Sequence, residues 1–117
     1  MRDPKALLPL TPAAFHVLVA LAESEKHGYA IMKQVSELTE GRVELSAGTL
    51  YGIIKRLVGD GLIETVRSSR AQRAQEDERR RYYRLTRFGR EVAVAEADRL
   101  ERALSFARAK KLLPRRA

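Results

Sequence analysis

Between Ser46 and Asp60 the chain gathers small residues, hydroxyls and two adjacent cations, Lys55 and Arg56, at the spacing of a helix. At about 100° per residue, Leu50, Ile53, Ile54 and Leu57 fall on one side of that helix. Gly48, Gly52, Lys55 and Gly59 fall on the other, flanked by Thr49, Tyr51 and Arg56. Ser46 is placed to cap the first turn with its side-chain oxygen. Glycine costs a helix roughly 1 kcal/mol against alanine, so three glycines on the solvent side imply a surface that another molecule's backbone approaches closely. Lys55 and Arg56 imply that this molecule is an anion. Against a double-stranded polyanion, Lys55 or Arg56 suits guanine edges, while Ser46, Thr49 and Tyr51 suit phosphate oxygens.

A second cationic feature follows directly. Gly59-Asp60-Gly61 ends the helix, and Leu62–Val66 and Arg81–Leu85 both alternate as strands that pair in an antiparallel hairpin. Within and between them lie Arg67, Arg70, Arg73, Arg79, Arg80 and Arg81, against Glu76, Asp77 and Glu78, a net charge of +3. Arg70, Arg73, Arg79 and Arg80 are the expected contacts to a nucleic-acid backbone or to a minor groove, where width and negative potential are read. The connecting loop has no apolar residue larger than alanine and is expected to order only on a partner.

The rest of the chain must hold these two features. Thr11-Pro12 starts a helix that the apolar spacing carries to about Glu23. Lys26-His27-Gly28 turns the chain, Tyr29 to Leu38 forms a support helix, and Gly41 closes it. Val43-Glu44-Leu45 is short enough to be a third, edge strand beside the hairpin. Thr86 opens a last helix running to about Leu113, just before Pro114. Its seam of Ala93, Ala97, Leu100, Leu104 and Ala107 alternates steps of four and three, the 3.5 period of helix-on-helix packing, with Phe88 and Phe106 toward its ends. So long a helix exceeds what one small domain can bury, and a symmetric homodimer supplies the missing surface. The expected fold class is mainly α with a small β-hairpin wing, a winged helix-turn-helix. Its parts are an arm (1–10), a DNA-binding domain (11–85), a dimerisation helix (86–113) and a tail (114–117). Leu7, Leu8 and Leu10 of the arm either pack against the dimer partner or fray.

Composition agrees and excludes several classes. The 117 residues carry a formal charge of +8, which favours a polyanionic partner, nucleic acid ahead of anionic membrane. Residues 1–66 hold seven Lys or Arg against eight Asp or Glu, whereas residues 67–117 hold sixteen against seven. The wing and last helix are therefore expected to set the salt dependence of binding, and the Ser46 helix its sequence preference. Cysteine is absent, which removes disulfide and thiolate chemistry. With two histidines, His16 and His27, no metal site or cofactor is expected. No nucleophile and base stand at usable spacing, so the chain does not read as an enzyme. No apolar run reaches the ~20 residues of a membrane span, and a cytoplasmic location is expected.

His27-Gly28-Tyr29, the run Ser46 to Leu57 with its Gly-Thr-Leu-Tyr, Asp60-Gly61-Leu62-Ile63 and Arg80-Arg81-Tyr82-Tyr83-Arg84-Leu85-Thr86 together resemble the PadR-like transcriptional regulators. The likeness spans roughly residues 11 to 113 and rests on several ordered motifs at matching separations. It implies a dimeric winged helix-turn-helix repressor on an operator with two half-sites, and it places Tyr29 near the DNA backbone. The other reading of Tyr29 is a core-edge tyrosine with its hydroxyl in water. Two features depart from the family pattern: Gly52 stands where members commonly carry proline, and the wing is longer, with the acidic trio Glu76-Asp77-Glu78. The resemblance implies an effector site at the dimer interface, where some short members as a group bind flat aromatic compounds, often with tryptophan. This chain has no tryptophan, so a small-molecule effector there has no nameable identity. The competing class is a winged helix used for protein interaction or ligand sensing without specific DNA binding.

Overall fold

The computed structural model describes residues 2–66 and 81–114. Four α-helices pack with a three-stranded antiparallel sheet: α1 Pro12–Ala20, β1 Lys26–His27, α2 Gly28–Leu38, α3 Ala47–Gly59, β2 Ile63–Val66, β3 Tyr82–Leu85 and α4 Arg87–Ala109. Each helix start is written in the sequence. The hydroxyls of Thr11, Ser46 and Thr86 accept from the amides of Ala14, Thr49 and Gly89, three residues on. At α2 the cap is His27, whose Nδ1 accepts from Ala30 N at 3.2 Å.

The core is built where the helix-turn-helix meets the hairpin. Val17 and Leu18 of α1, Ile31 and Val35 of α2, Leu50, Ile54 and Leu57 of α3, Leu62 and Ile63, and Val92 of α4 are all buried in one cluster. These are the positions at three- and four-residue spacing on each helix, so the periodicity itself selects the inward faces.

The sheet has the order β1-β3-β2. Residues Ile63, Glu64, Thr65 and Val66 oppose Leu85, Arg84, Tyr83 and Tyr82, which is the expected hairpin. Its third strand is not the expected Val43–Leu45, which forms no strand. That edge is filled by Lys26–His27, pairing with Tyr83 and Tyr82. The reason lies in the α2 exit. Glu40 and Gly41 adopt φ of 53° and 79°, and Thr39 Oγ1 accepts from Val43 N at 3.0 Å, so this stretch is held as a turn over the end of α2.

Two helices end earlier than their apolar patterns suggest. α1 stops at Ala20 because Leu21 and Ala22 donate back to Leu18 and Val19 in a tight last turn. α4 stops at Ala109, where Lys111 takes φ of 63° and Leu112 N reaches Ala107 O.

α4 is rooted on the domain by Gly89, Val92 and Glu96, its buried residues. Thr86 N donates to Leu62 O at 3.0 Å, and the Thr86 hydroxyl donates to Gly61 O at 2.6 Å, which pins the helix start to the turn that leaves α3. The arm lies along the same root within the protomer. After a short 3-10 turn at Pro4–Leu7, Leu10 N donates to Glu96 Oε2 at 2.8 Å. Arg2 donates to Asp60 O at 2.5 Å while its guanidinium lies 4.3 Å from the centroid of the Phe88 ring. Leu7, Leu8 and Leu10 thus pack against their own core. Glu96 is 1% exposed, and the Arg99 side chain bonded to it holds its carboxyl below the ordinary carboxylate range.

Candidate nucleic-acid interface

α3 presents the two faces that its spacing dictates. Leu50, Ile54 and Leu57 are buried, whereas Gly48, Thr49, Gly52, Lys55, Arg56 and Gly59 are exposed. A Cβ built on Gly48, Gly52 or Gly59 would meet nothing within 4 Å. The packing of the described residues therefore gives no reason for these three glycines. The three ion pairs of the described residues join Arg84 to Glu64, Arg99 to Glu96 and Arg102 to Asp98. Lys55 and Arg56 take part in none of them and face solvent.

At the start of the helix Ser46 and Thr49 are tied together. Ser46 Oγ accepts from Thr49 N at 3.2 Å and donates to Thr49 Oγ1 at 3.0 Å, and both residues are exposed. This pairing uses the Ser46 proton and does not use the Thr49 hydroxyl proton. Tyr51 is placed differently from the outward contact expected of it. It is half-buried, and its hydroxyl lies where it would stand 2.6 Å from a Cβ on Gly28. Position 51 sits beside the buried Leu50 and Ile54 faces, so its ring folds back over the first residue of α2. Gly28 is what admits it.

Tyr29, the second residue of α2, is 63% exposed. It borders a shallow depression of about 300 Å³ together with Lys33, Ser36 and Glu44.

On the wing, the described strands separate two arginines. Glu64 and Arg84 oppose each other on one face of the hairpin and are paired at 2.7 Å. Thr65, Tyr83 and Arg81 share the other face, and with Gly52, Lys55 and Val58 of α3 they line an open groove of about 450 Å³. Sequence reasoning counted Arg81 as ribbon charge and did not see this juxtaposition, although strand alternation from Tyr83 carries the signal. Arg70, Arg73, Arg79 and Arg80 lie outside the described residues.

The candidate dimer surface is the distal part of α4. Past Glu96 no described residue of this helix is buried; Leu104 is 49% exposed and Phe106 72%. Ala93, Leu100 and Ala107 are half-buried and Ala97 is exposed. Phe88 differs from the rest of the proposed seam, because it packs on its own core beneath Arg2. Among the described residues no group of three or more His, Cys, Asp or Glu could hold a metal ion, and no helix is long and apolar enough to cross a membrane.

Comparison with known proteins adds to this geometry. A family model described as the transcriptional regulator PadR-like family matches residues 17–95. A PadR family transcription regulator from Clostridium difficile R20291 superposes with a TM-score of 0.68 at 27% identity, over 85% of this chain and 97% of that one. A transcriptional regulator from Clostridium thermocellum gives a TM-score of 0.66 at 25% identity, over 87% and 90% of the two chains. A curated relative from Lysinibacillus sphaericus, described as an uncharacterized protein, is 27% identical over 74 residues, which span 63% of this chain and 64% of that protein.

Proposed function

The chain belongs to the PadR-like family of transcriptional regulators, whose members are not enzymes, and from that premise we propose that it is a sequence-specific DNA-binding repressor acting as a homodimer on a pseudo-palindromic operator. One observation supports this above the others. α3 exposes a face of glycines and solvent-facing cations that the fold itself does not require, on a helix whose other face is locked into the core. Such a face admits the floor of a major groove.

Arg56, with its planar set of donors, is the residue assigned to guanine edges, and Thr49 lies on the same side of the helix. Ser46, Tyr29 and Tyr51 suit phosphate oxygens, and Tyr51 borders the groove beside Gly52 and Lys55 while its ring reaches Gly28 of α2. Arg70, Arg73, Arg79 and Arg80 are assigned to the backbone or minor groove on the strength of the wing's composition. Two copies joined along Ala93, Ala97, Leu100, Leu104 and Ala107 would present two α3 helices to major grooves about 34 Å apart. An effector is assigned to this interface on the strength of the family resemblance. A cytoplasmic location follows from this role.

Selection from a random duplex pool by the purified protein tests the reading. Enrichment of a two-fold related motif with half-sites about 10 base pairs apart is expected; recovery of a pool without a motif would leave the interaction-module alternative standing.

A further inference from the structure

The groove between α3 and the hairpin combines features that a wing and a helix acting separately would not need. Lys55 enters it from α3 and Arg81 from the approach to β3, with the Thr65 hydroxyl on the strand opposite. Neither cation belongs to an ion pair of the described residues, whereas Arg84, on the other face of the same hairpin, is neutralised by Glu64. Two like charges that line one open groove of about 450 Å³ repel each other, and an anion seated between them would replace that repulsion with attraction to both. Gly52 forms part of the rim, and its missing side chain keeps that rim low although none of the described residues occupies the space. On α3 these groups lie to one side of the Gly48–Gly52–Gly59 line, while Arg56 and Thr49 lie to the other, so the groove is separate from the surface assigned to bases.

We propose that this groove seats one backbone phosphate of the duplex, held jointly by Lys55 and Arg81, so that helix and wing grip the same strand at the same point. The proposal rests on the DNA-binding reading above. Under it, Lys55 anchors rather than reads, and Arg81 sets the angle between wing and helix on the DNA.

The test uses the full-length protein and the duplex it selects. In the wild type, replacing phosphates one at a time by neutral methylphosphonates should reveal, among the sensitive positions of each half-site, one that costs about ten-fold in affinity and depends on Lys55 and Arg81. For Lys55→Gln/Arg81→Gln that same position should cost nothing. The double variant should lower the slope of log K against log salt by about 0.9 per half-site, one phosphate's worth, rather than twice that. Gly52→Leu, which fills the rim, should abolish sensitivity at the same phosphate. Both cations are exposed, and unchanged thermal melting of the variants confirms that the fold is intact. Two different phosphates mapping to Lys55 and Arg81, or a double variant that keeps the wild-type pattern, would overturn the shared seat while leaving DNA binding untouched. Failure of the wild type to select any duplex would overturn both.

Discussion

Gly89 passes the carbonyl oxygen of Leu62 so closely that a Cβ on it would collide with the main chain. This contact joins the first turn of α4 to the turn leaving α3, and the Thr86–Gly61 hydrogen bond beside it fixes the approach. Because the obstructing atoms are backbone, they cannot swing aside. Gly89→Ala is therefore expected to destabilise the protein by about 3 kcal/mol, at the upper end for overpacking, or to prevent folding. Denaturant unfolding measures it; a midpoint like the wild type's would mean the helix is not docked as described.

The glycines of α3 should behave in the opposite way. Gly52→Ala adds a methyl group to open space and removes a helix-weakening residue, so it should stabilise the fold by up to roughly 1 kcal/mol. The same change should weaken DNA binding if that surface is approached closely. Paired melting and binding titrations check both halves. A variant more stable and equally tight in binding would remove the close-approach argument.

Much of this arrangement was legible in the sequence, because it depends on local patterns. The hydroxyl caps at Thr11, Ser46 and Thr86, the spacing of Leu50, Ile54 and Leu57, and the alternation around Thr65 and Tyr83 each act within a few residues. What was not legible depends on contacts distant in the chain. Lys26–His27 is too short to signal a strand by itself and becomes one by pairing with Tyr83 and Tyr82. Glu96 is buried because Leu10, 86 positions away, offers it an amide. The Lys55–Arg81 groove needs both α3 and the hairpin in place before it exists.

Glu96 makes acid stability a readable quantity. Its folded carboxyl titrates below the ordinary value, chiefly through the Arg99 side chain bonded to it, with the Leu10 amide and Coulombic attraction adding to the same effect against desolvation. The stabilisation is present above the unfolded-state carboxylate pKa, about 4.3, and is lost as pH falls through the lower folded value. Glu96→Gln should lower the melting temperature at neutral pH and flatten its fall between about pH 5 and 3. Parallel pH curves for the two proteins would contradict this role.

The distal half of α4 carries the dimer proposal. Leu104→Glu places a charge in the seam without touching the core, so the melting of the protomer should change by less than about 1 kcal/mol. Sedimentation should then show a species near 13.2 kDa where the wild type runs at twice that mass. A wild-type protein that sediments at the single-chain mass would place the assembly elsewhere or rule it out.

The most direct measurement titrates wild type and Arg56→Ala against the selected duplex and a scrambled duplex at one fixed salt concentration. If α3 reads base edges, the wild type should prefer its motif by about 10³-fold or more. Arg56→Ala should then lose roughly ten-fold or more on the motif and far less on the scrambled sequence. Equal losses on both duplexes would mean that this helix supplies charge and no sequence recognition, contradicting the account at its centre.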